Sequence, residues 1–338
     1  MLDVTDTDRT VYASRLRDFL PDRFIDVHTH IWTGGRKEAD ERLASWPSRV
    51  AAEQPAEDLL QTYAAMFPGK QVTPVVFSNP TIDLPLGEAN DYVSTAASRH
   101  ELSALALTHP GWSAEQFEQT IDNGGFLGAK PYLSYAPESI PAEDIRIFDF
   151  IPHHQWEVLN RRGWVCMLHI PRPARLKDAA NLADLIEVER TYPHAKTIVA
   201  HVGRAYCPED IGDAFDWLAS TEHLRFDISA NTNEDVFRRL LGTVGPGRIL
   251  FGSDLPIARM RMRRICEDGV YINLVPPGLY GDVSGDPHMR EVCAEEAQRL
   301  TYFLYEEIDA FRRAAEAEGL SRADVERVGG FLGGQRGP

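Results

Sequence analysis

The sequence predicts a single (β/α)8 barrel, on three observations. Short apolar, β-rich runs recur along the chain and make about eight candidate strands, the number a barrel needs. Most are continuous apolar stretches rather than alternations, as expected for strands buried on both faces of a parallel sheet. Helical apolar spacing fills the intervals, and repeated β-then-α units imply parallel pairing.

The elements follow in order. Residues 1–22 read as a polar lead-in with a short helix around Tyr12 to Phe19. The first run is Phe24–His30, followed by a polar insertion at about 33–55 that is expected to lie over the barrel mouth and shape access. A helical pattern at Ala56–Phe67 leads to the second run, Val72–Phe77. Helical spacing over Leu86–Arg99 precedes the third run, Leu102–Leu107. Ser113 with Gln116 three residues on is a capping-box signature, so a helix is expected over Ser113–Ile121 before the fourth run, Phe126–Leu133. Phe148–Arg161 then leads to Trp164–Ile170, Ala179–Thr191 to Thr197–Val202, Pro208–Ser220 to Leu224–Ser229, and Asn233–Leu241 to Arg248–Asp254. Residues 271–288, rich in Gly, Pro and Asp, read as an irregular loop; Met289–Gly319 and Arg322–Val328 read as helical. One domain over residues 1–328 is expected, with a Gly-rich, disordered tail at 329–338. A doubly wound sheet would want a GxGxxG fingerprint after the first strand, and Asp26–Gly35 has none.

Composition narrows the function. The chain has 338 residues, 43% of them hydrophobic, enough for one barrel-sized core. A formal net charge of −16 argues against nucleic-acid and membrane partners, leaving a small-molecule substrate as the expected ligand; homo-oligomers are compatible with it. The acidic, polar start Met1–Asp6 shows no secretory signal, and no apolar run is long enough to span a bilayer, so a cytoplasmic enzyme is expected. Cys166, Cys207, Cys266 and Cys293 are far apart and form no CxxC, so reduced thiols are expected rather than a disulfide framework or thiolate zinc site.

Chemistry concentrates at the ends of the runs. His28 and His30, in Asp26-Val27-His28-Thr29-His30, fall on one face of a strand and can chelate one divalent ion. The fourth run carries Lys130, the fifth His169, the sixth His201 and the eighth Asp254. In a barrel, functional groups come from the C-terminal ends of several strands. Burying such groups without partners is costly, and a shared metal ion removes that cost for several at once. Arg172 and Arg204 follow His169 and His201 by three residues, where their planar forks suit a substrate carboxylate. Tyr132 and Trp32 are candidates to line the pocket; His109 reads as a loop histidine.

The set resembles the amidohydrolase superfamily, in particular the branch of amidohydrolase-related proteins that includes aminocarboxymuconate-semialdehyde decarboxylase. The resemblance spans roughly Phe24 to Asp254 and rests on four features in order. These are the His-x-His, a strand-end His169, His201 in a His-Val-Gly setting, and Gly252-Ser253-Asp254-Leu255-Pro256. It implies that His28, His30, His169 and Asp254 bind the metal, most often Zn²⁺, with Mn²⁺ or another divalent ion open. His201 would lie beside the ion, polarising substrate or moving protons. One ion is the expectation. A second follows if Lys130 is carbamylated and bridges two; otherwise Lys130 stays an ammonium for a substrate carboxylate or a structural group. The expected reaction is attack of metal-bound hydroxide on a small amide, ester or lactone, with His201 stabilising the oxyanion and Asp254 accepting the proton. Non-oxidative decarboxylation or hydration of a small carboxylic acid uses the same site, and a non-catalytic binding barrel is the reading from another class. The terminal helix with an Asn-Ala pair common in such chains has no match here, where Val325–Val328 runs into Gly329-Gly330.

Overall fold

The computed structural model describes residues 3–34, 50–80 and 84–330. Its strands are β1 (Arg23–His30), β2 (Gln71–Phe77), β3 (Ser103–Ala104), β4 (Ala106–Thr108), β5 (Gly128–Pro131), β6 (Val165–Leu168), β7 (Lys196–Val199), β8 (Arg225–Asp227) and β9 (Ile249–Leu250). Strands β1 to β3 form one parallel sheet and β4 to β9 another. The third predicted run is therefore split at Leu105. That residue still donates to the Val76 carbonyl (3.0 Å), so β3 and β4 act as one barrel stave. The eighth stave returns to the first through Val27 N–H to Phe251 O (3.0 Å), Asp254 N–H to His28 O (2.8 Å) and His30 N–H to Leu255 O (2.8 Å). The barrel is closed, as the run pattern predicts.

A cluster of Val27, Val75, Phe77, Leu105, Val165, Met167, Ile198, Ala200 and Leu250 draws on nearly every stave. A second and larger apolar layer, with Phe117, Trp156, Leu185 and Phe237 among its members, packs the helices on the barrel. The helices Ala56–Met66, Leu86–His100, Ala114–Asn123, Ala179–Thr191 and Glu234–Val244 match the expected spans. Ser113 caps its helix by accepting from Gln116 N–H. The Phe148–Arg161 expectation is corrected to two helices, Ile147–Phe150 and His153–Arg162, because Pro152 has no N–H to continue the first. Pro208–Ser220 is likewise only a 3₁₀ turn and a short helix, Ala214–Leu218, interrupted where Gly212 takes φ +54°.

The irregular loop predicted over 271–288 is confined to 276–288, because 271–275 belong to a strand. β10 (Arg263–Glu267) and β11 (Val270–Val275) make an antiparallel hairpin, and β12 (Met289–Glu291) adds in parallel to β11. The turn is Asp268-Gly269, both at positive φ (50° and 76°), the mirror-image turn whose twist suits a hairpin. Helix in the region predicted from Met289 is confined to a short turn, Ala294–Ala297, and to Phe303–Ala317. The helix Arg322–Val328 forms as expected, and its end answers the missing Asn-Ala element. Val328 O accepts from Phe251 N–H (3.0 Å) and Gly329 O from Ile25 N–H (2.8 Å), stitching the chain end onto β1 and the segment after β9. Most of the polar insertion and residues 331–338 of the tail lie outside the described residues. Among described residues, no helix is long and apolar enough to cross a membrane.

The cysteine expectation is corrected. Cys207 and Cys266 are 59 positions apart, yet the hairpin carries Cys266 onto the loop after β7, with Cα atoms 5.9 Å apart and a disulfide between them. Spacing in sequence gave no warning, because the contact depends on a hairpin that was read as loop. Cys166 is a buried free thiol and Cys293 an exposed one. Thiol titration of the unreduced, unfolded protein is therefore expected to find two reactive cysteines rather than four. Cys266→Ser is expected to lower the unfolding free energy by up to about 4 kcal/mol, the chain-entropy value for a loop of this length; a denaturant midpoint equal to wild type would contradict it.

Candidate metal centre

The β1 pleat puts His28 and His30 on one face, ring centroids 5.7 Å apart. Each ring is oriented by its Nδ1. His28 Nδ1 lies 2.9 Å from Asp227 Oδ2, and His30 Nδ1 lies 3.3 Å from the Ser78 carbonyl. His201 Nδ1 lies 3.1 Å from the Ser229 carbonyl and 2.8 Å from its hydroxyl. A carbonyl only accepts, so Nδ1 carries the proton in His30 and His201, and Nε2 keeps a lone pair. The Asp227 carboxyl is held well below its usual range: burial pushes it up, but His28, His201 and Ser229 together outweigh burial. It is an ionised acceptor, so His28 is protonated on Nδ1 as well.

Two backbone features aim the remaining groups. After β7 the chain enters a left-handed turn, with φ of 56°, 51°, 60° and 60° at His201, Val202, Gly203 and Arg204. That conformation costs a non-glycine residue roughly 1–2 kcal/mol, and it is retained here at the one point where the barrel needs His201 turned inward. His201 N–H donates to Asp227 Oδ1 (2.9 Å), which holds the start of the turn. Asp254 also sits at positive φ (58°), fixed by its own N–H on the His28 carbonyl.

The result is a convergence of donors. Nε2 of His30 and of His28 lie 3.2 and 3.6 Å from Asp254 Oδ1. Donor atoms of His28, His201 and Asp254 all fall within 4.8 Å of one another. Burial lowers His28 to about 4 and lowers His201, so both imidazoles are neutral at pH 7. Burial pushes Asp254 up, but the close approach of His30 and of the other nearby imidazoles brings it down to about 2. Lone pairs of neutral imidazoles therefore face an ionised carboxylate, and His28 Nε2 has no hydrogen-bond partner. Such an arrangement repels itself unless a cation sits between, and imidazole with carboxylate is the donor set of Zn²⁺ and related divalent ions. The residues fit a metal.

The other predicted residues divide. His169 follows β6, its ring 5.2 Å from that of His201, its buried Nδ1 without a partner, and its pKa far down from burial and then from Arg204. Lys130 on β5 is fully buried with no hydrogen-bond partner, its Nζ 5.2 Å from the Phe77 ring and 4.9 Å from that of Tyr132. Burial lowers it to about 8 against the pull of Asp227 and Asp254. Arg172 is engaged by Asp178 (3.1 Å), whereas Arg204 reaches only the Ile170, Pro171 and Arg172 carbonyls at 3.2–3.5 Å. Among described residues Arg204 has no carboxylate partner. Trp32 gives its indole N–H to Ala52 O (2.9 Å) and exchanges backbone bonds with Gln54, which pins the returning end of the insertion to the barrel. His109 is a loop residue whose Nδ1 accepts from Gly111 N–H (3.0 Å).

Sequence reasoning missed Asp227, Ser229, Ser78 and Asp26. Asp227 had a signal: it is a polar residue near the end of the seventh run, Leu224–Ser229, a run from which no candidate was drawn. Ser78 contributes a backbone carbonyl, for which a residue type gives no clue.

The family model described as amidohydrolase matches residues 25–270. No curated protein matches the chain. Among solved structures, an amidohydrolase from Burkholderia multivorans with bound zinc is similar at 14% identity and TM-score 0.53, covering 91% of this chain and 96% of its own. A 2,6-dihydroxybenzoate decarboxylase complexed with 2,6-dihydroxybenzoate is similar at 13% identity and TM-score 0.51, with coverages of 90% and 96%. A dihydroxybenzoic acid decarboxylase from Polaromonas sp. JS666, with bound manganese and 2-nitroresorcinol, is similar at 14% identity and TM-score 0.50, with coverages of 90% and 94%. At these identities the likeness is one of fold.

If Asp227 orients the donor face, Asp227→Asn should weaken Zn²⁺ affinity by about 10–100-fold, the usual cost of losing the partner of a ligating histidine. Competition against a chromophoric chelator measures it; affinity within twofold of wild type would rule out the orienting role.

Proposed function

The chain belongs to the amidohydrolase family, and from that premise we propose that it is a divalent-metal-dependent hydrolase of a small, carboxylate-bearing amide, ester or lactone. The observation that carries this reading is the ring of neutral imidazole nitrogens around the ionised Asp254, with the unpaired Lys130 ammonium beside it. His28, His30, His169 and Asp254 would hold the ion, with His201 beside it, close to His28 and Asp254. Zinc fits the donor set, and the relatives of similar fold hold zinc in one case and manganese in another. A divalent ion bound there supplies Lewis acidity and brings the pKa of a water toward neutrality.

The protein groups divide the remaining work. Asp254 is ionised at neutral pH and is the acceptor for the proton of the attacking water. His201 spends its Nδ1 proton on Ser229, so its Nε2 accepts a proton rather than donating one. It therefore moves protons, and supports an oxyanion only after it has become protonated. Among the described residues Lys130 and Arg204 are cations at the mouth without carboxylate partners, and they would hold the substrate carboxylate; Arg172 is taken by Asp178. Tyr132 stacks under Lys130 and walls that side.

Decarboxylation is the second reading, and a specific feature favours it. A buried ammonium lowered to about 8 is a proton source next to the metal donors, able to protonate the carbon that loses CO₂. The two dihydroxybenzoate decarboxylases of similar fold give the substrate class to test. Zinc-loaded protein should release acid from esters or lactones that carry a carboxylate. CO₂ release from hydroxylated aromatic acids with no hydrolysis would transfer the assignment to decarboxylation, and inactivity towards both would end the enzymatic proposal.

Lys130→Met and Arg204→Met are each expected to raise KM for a carboxylated substrate at least tenfold, with smaller changes for an uncharged analogue. The ammonium persists below its pKa, so affinity for the carboxylate should be full below pH 8 and fall as pH rises through about 8. A KM flat from pH 6 to 9.5 would remove Lys130 from substrate binding.

A further inference from the structure

Behind the proposed metal centre lies a second layer of buried polar groups, in which burial pushes the Glu307 carboxyl well above its usual range. Glu307, on the helix Phe303–Ala317, and Arg264, on β10, are both buried, and no carboxylate forms an ion pair with Arg264 among described residues. The Arg264 guanidinium lies instead against the rings of Tyr206, Tyr271 and Phe303, at 4.7, 4.5 and 4.5 Å. Buried charges without a direct partner are expensive, so what they do hold is informative. Both act on one residue. Glu307 Oε2 accepts from Ala230 N–H (2.8 Å), and Arg264 donates to Ala230 O (2.5 Å) while its Nε donates to Asn273 Oδ1 (2.8 Å). Ala230 sits at φ +52°, a conformation an alanine does not adopt unforced.

The peptide that donates to Glu307 is the peptide that receives His201. The carbonyl of Ser229 and the N–H of Ala230 belong to one planar amide, and His201 Nδ1 lies 3.1 Å from that carbonyl. A carboxyl oxygen accepting at the N–H end polarises the amide and strengthens its oxygen as an acceptor. We propose that Glu307 and Arg264 form a clamp on the Ala230 backbone whose task is to fix and polarise the amide that orients His201. They are positioning residues, acting through Ser229, and the proposal rests on His201 belonging to the proposed metal centre. The neighbouring Asn231 side chain donates to Ala205 O (2.7 Å), so the clamped strand end is tied to the far side of the left-handed turn as well.

The test uses zinc-loaded and metal-free full-length protein with histidine labelled in ¹⁵N. Wild type should show a downfield, slowly exchanging imidazole N–H proton, assigned to His201 by its loss in His201→Asn. Glu307→Ala should broaden or abolish that signal and weaken Zn²⁺ affinity at least tenfold in chelator competition. Glu307→Gln keeps an acceptor for the Ala230 N–H and should retain the signal, with affinity within threefold of wild type; a helix-packing role alone would not shift the imidazole proton. Where Glu307→Ala does not fold, Arg264→Met, which frees the Ala230 carbonyl and the Asn273 side-chain oxygen but leaves Glu307 in place, should broaden the signal and weaken Zn²⁺ at least threefold. Cooperative unfolding with an unchanged imidazole signal and Zn²⁺ affinity within twofold, in Glu307→Ala or in its substitute, overturns the clamp. Wild type that binds no Zn²⁺ overturns the metal centre instead, and the imidazole signal in the metal-free variants still judges the clamp.

Discussion

The seam that closes the barrel is also what assembles the site. Three backbone hydrogen bonds and one from backbone to side chain join β1 to the segment after β9. They are Val27 to Phe251, Asp254 to His28 and His30 to Leu255, with Ser253 N–H to the Asp26 carboxyl. All four involve a proposed metal ligand or its chain neighbour. The distance between His28, His30 and Asp254 is therefore set by barrel closure and not by loop conformation. Asp26 makes the seam costly as well as specific. Its carboxyl accepts from His28 N–H, Ser253 N–H and the Tyr63 hydroxyl, yet burial outweighs those bonds and carries it up to about 7. A buried acid of this kind is tolerated where it over-determines geometry.

Around that seam the structure spends strain and charge in one place. The left-handed turn at His201–Arg204, Ala230 and Asp254 holds most of the positive-φ residues other than glycine that are not in exposed turns. Asp227 ties the first two of these together, accepting from His28 Nδ1, His201 N–H and Ser229 N–H. A single buried carboxylate thus sets two imidazoles and the strand end that supports one of them. Behind it, the hairpin brings Arg264 to Ala230, and the disulfide fastens the same hairpin to the loop after His201. The hairpin lies outside the barrel's eight staves, and Arg264 and Cys266 tie it back to the mouth.

This explains which parts were legible in the sequence. Continuous apolar runs announced the staves because both faces are buried, and the polar residue ending each run announced His28, His30, His169, His201 and Asp254. Asp227 ends β8 (Arg225–Asp227), but the run read from the sequence, Leu224–Ser229, extends two residues further, so Asp227 did not read as a run end. The hairpin was missed because glycine and proline density over 271–288 outweighed the Asp-Gly turn and the Val270–Val275 run that it joins. Missing the hairpin hid the disulfide and Arg264 together. Ser78 and Ala230 act through their backbones, and such contributions follow from the fold, not from a residue type.

The charge of the mouth runs against the charge of the chain. At −16 the protein as a whole repels an anionic substrate. At physiological salt that repulsion decays over about 8 Å, so it weighs on the approach and little on the bound state. Inside the mouth the balance is local. Lys130, buried between Phe77 and Tyr132, and Arg204, bonded only to carbonyls, act where water no longer screens them. Asp254 and Asp227 are already committed to imidazoles and backbone, which leaves the two cations as the uncompensated charge. An anion is therefore disfavoured at a distance and favoured at contact. The proposed selectivity for a carboxylate therefore rests on the final few ångströms, on Lys130 of β5 and Arg204 of the turn after β7.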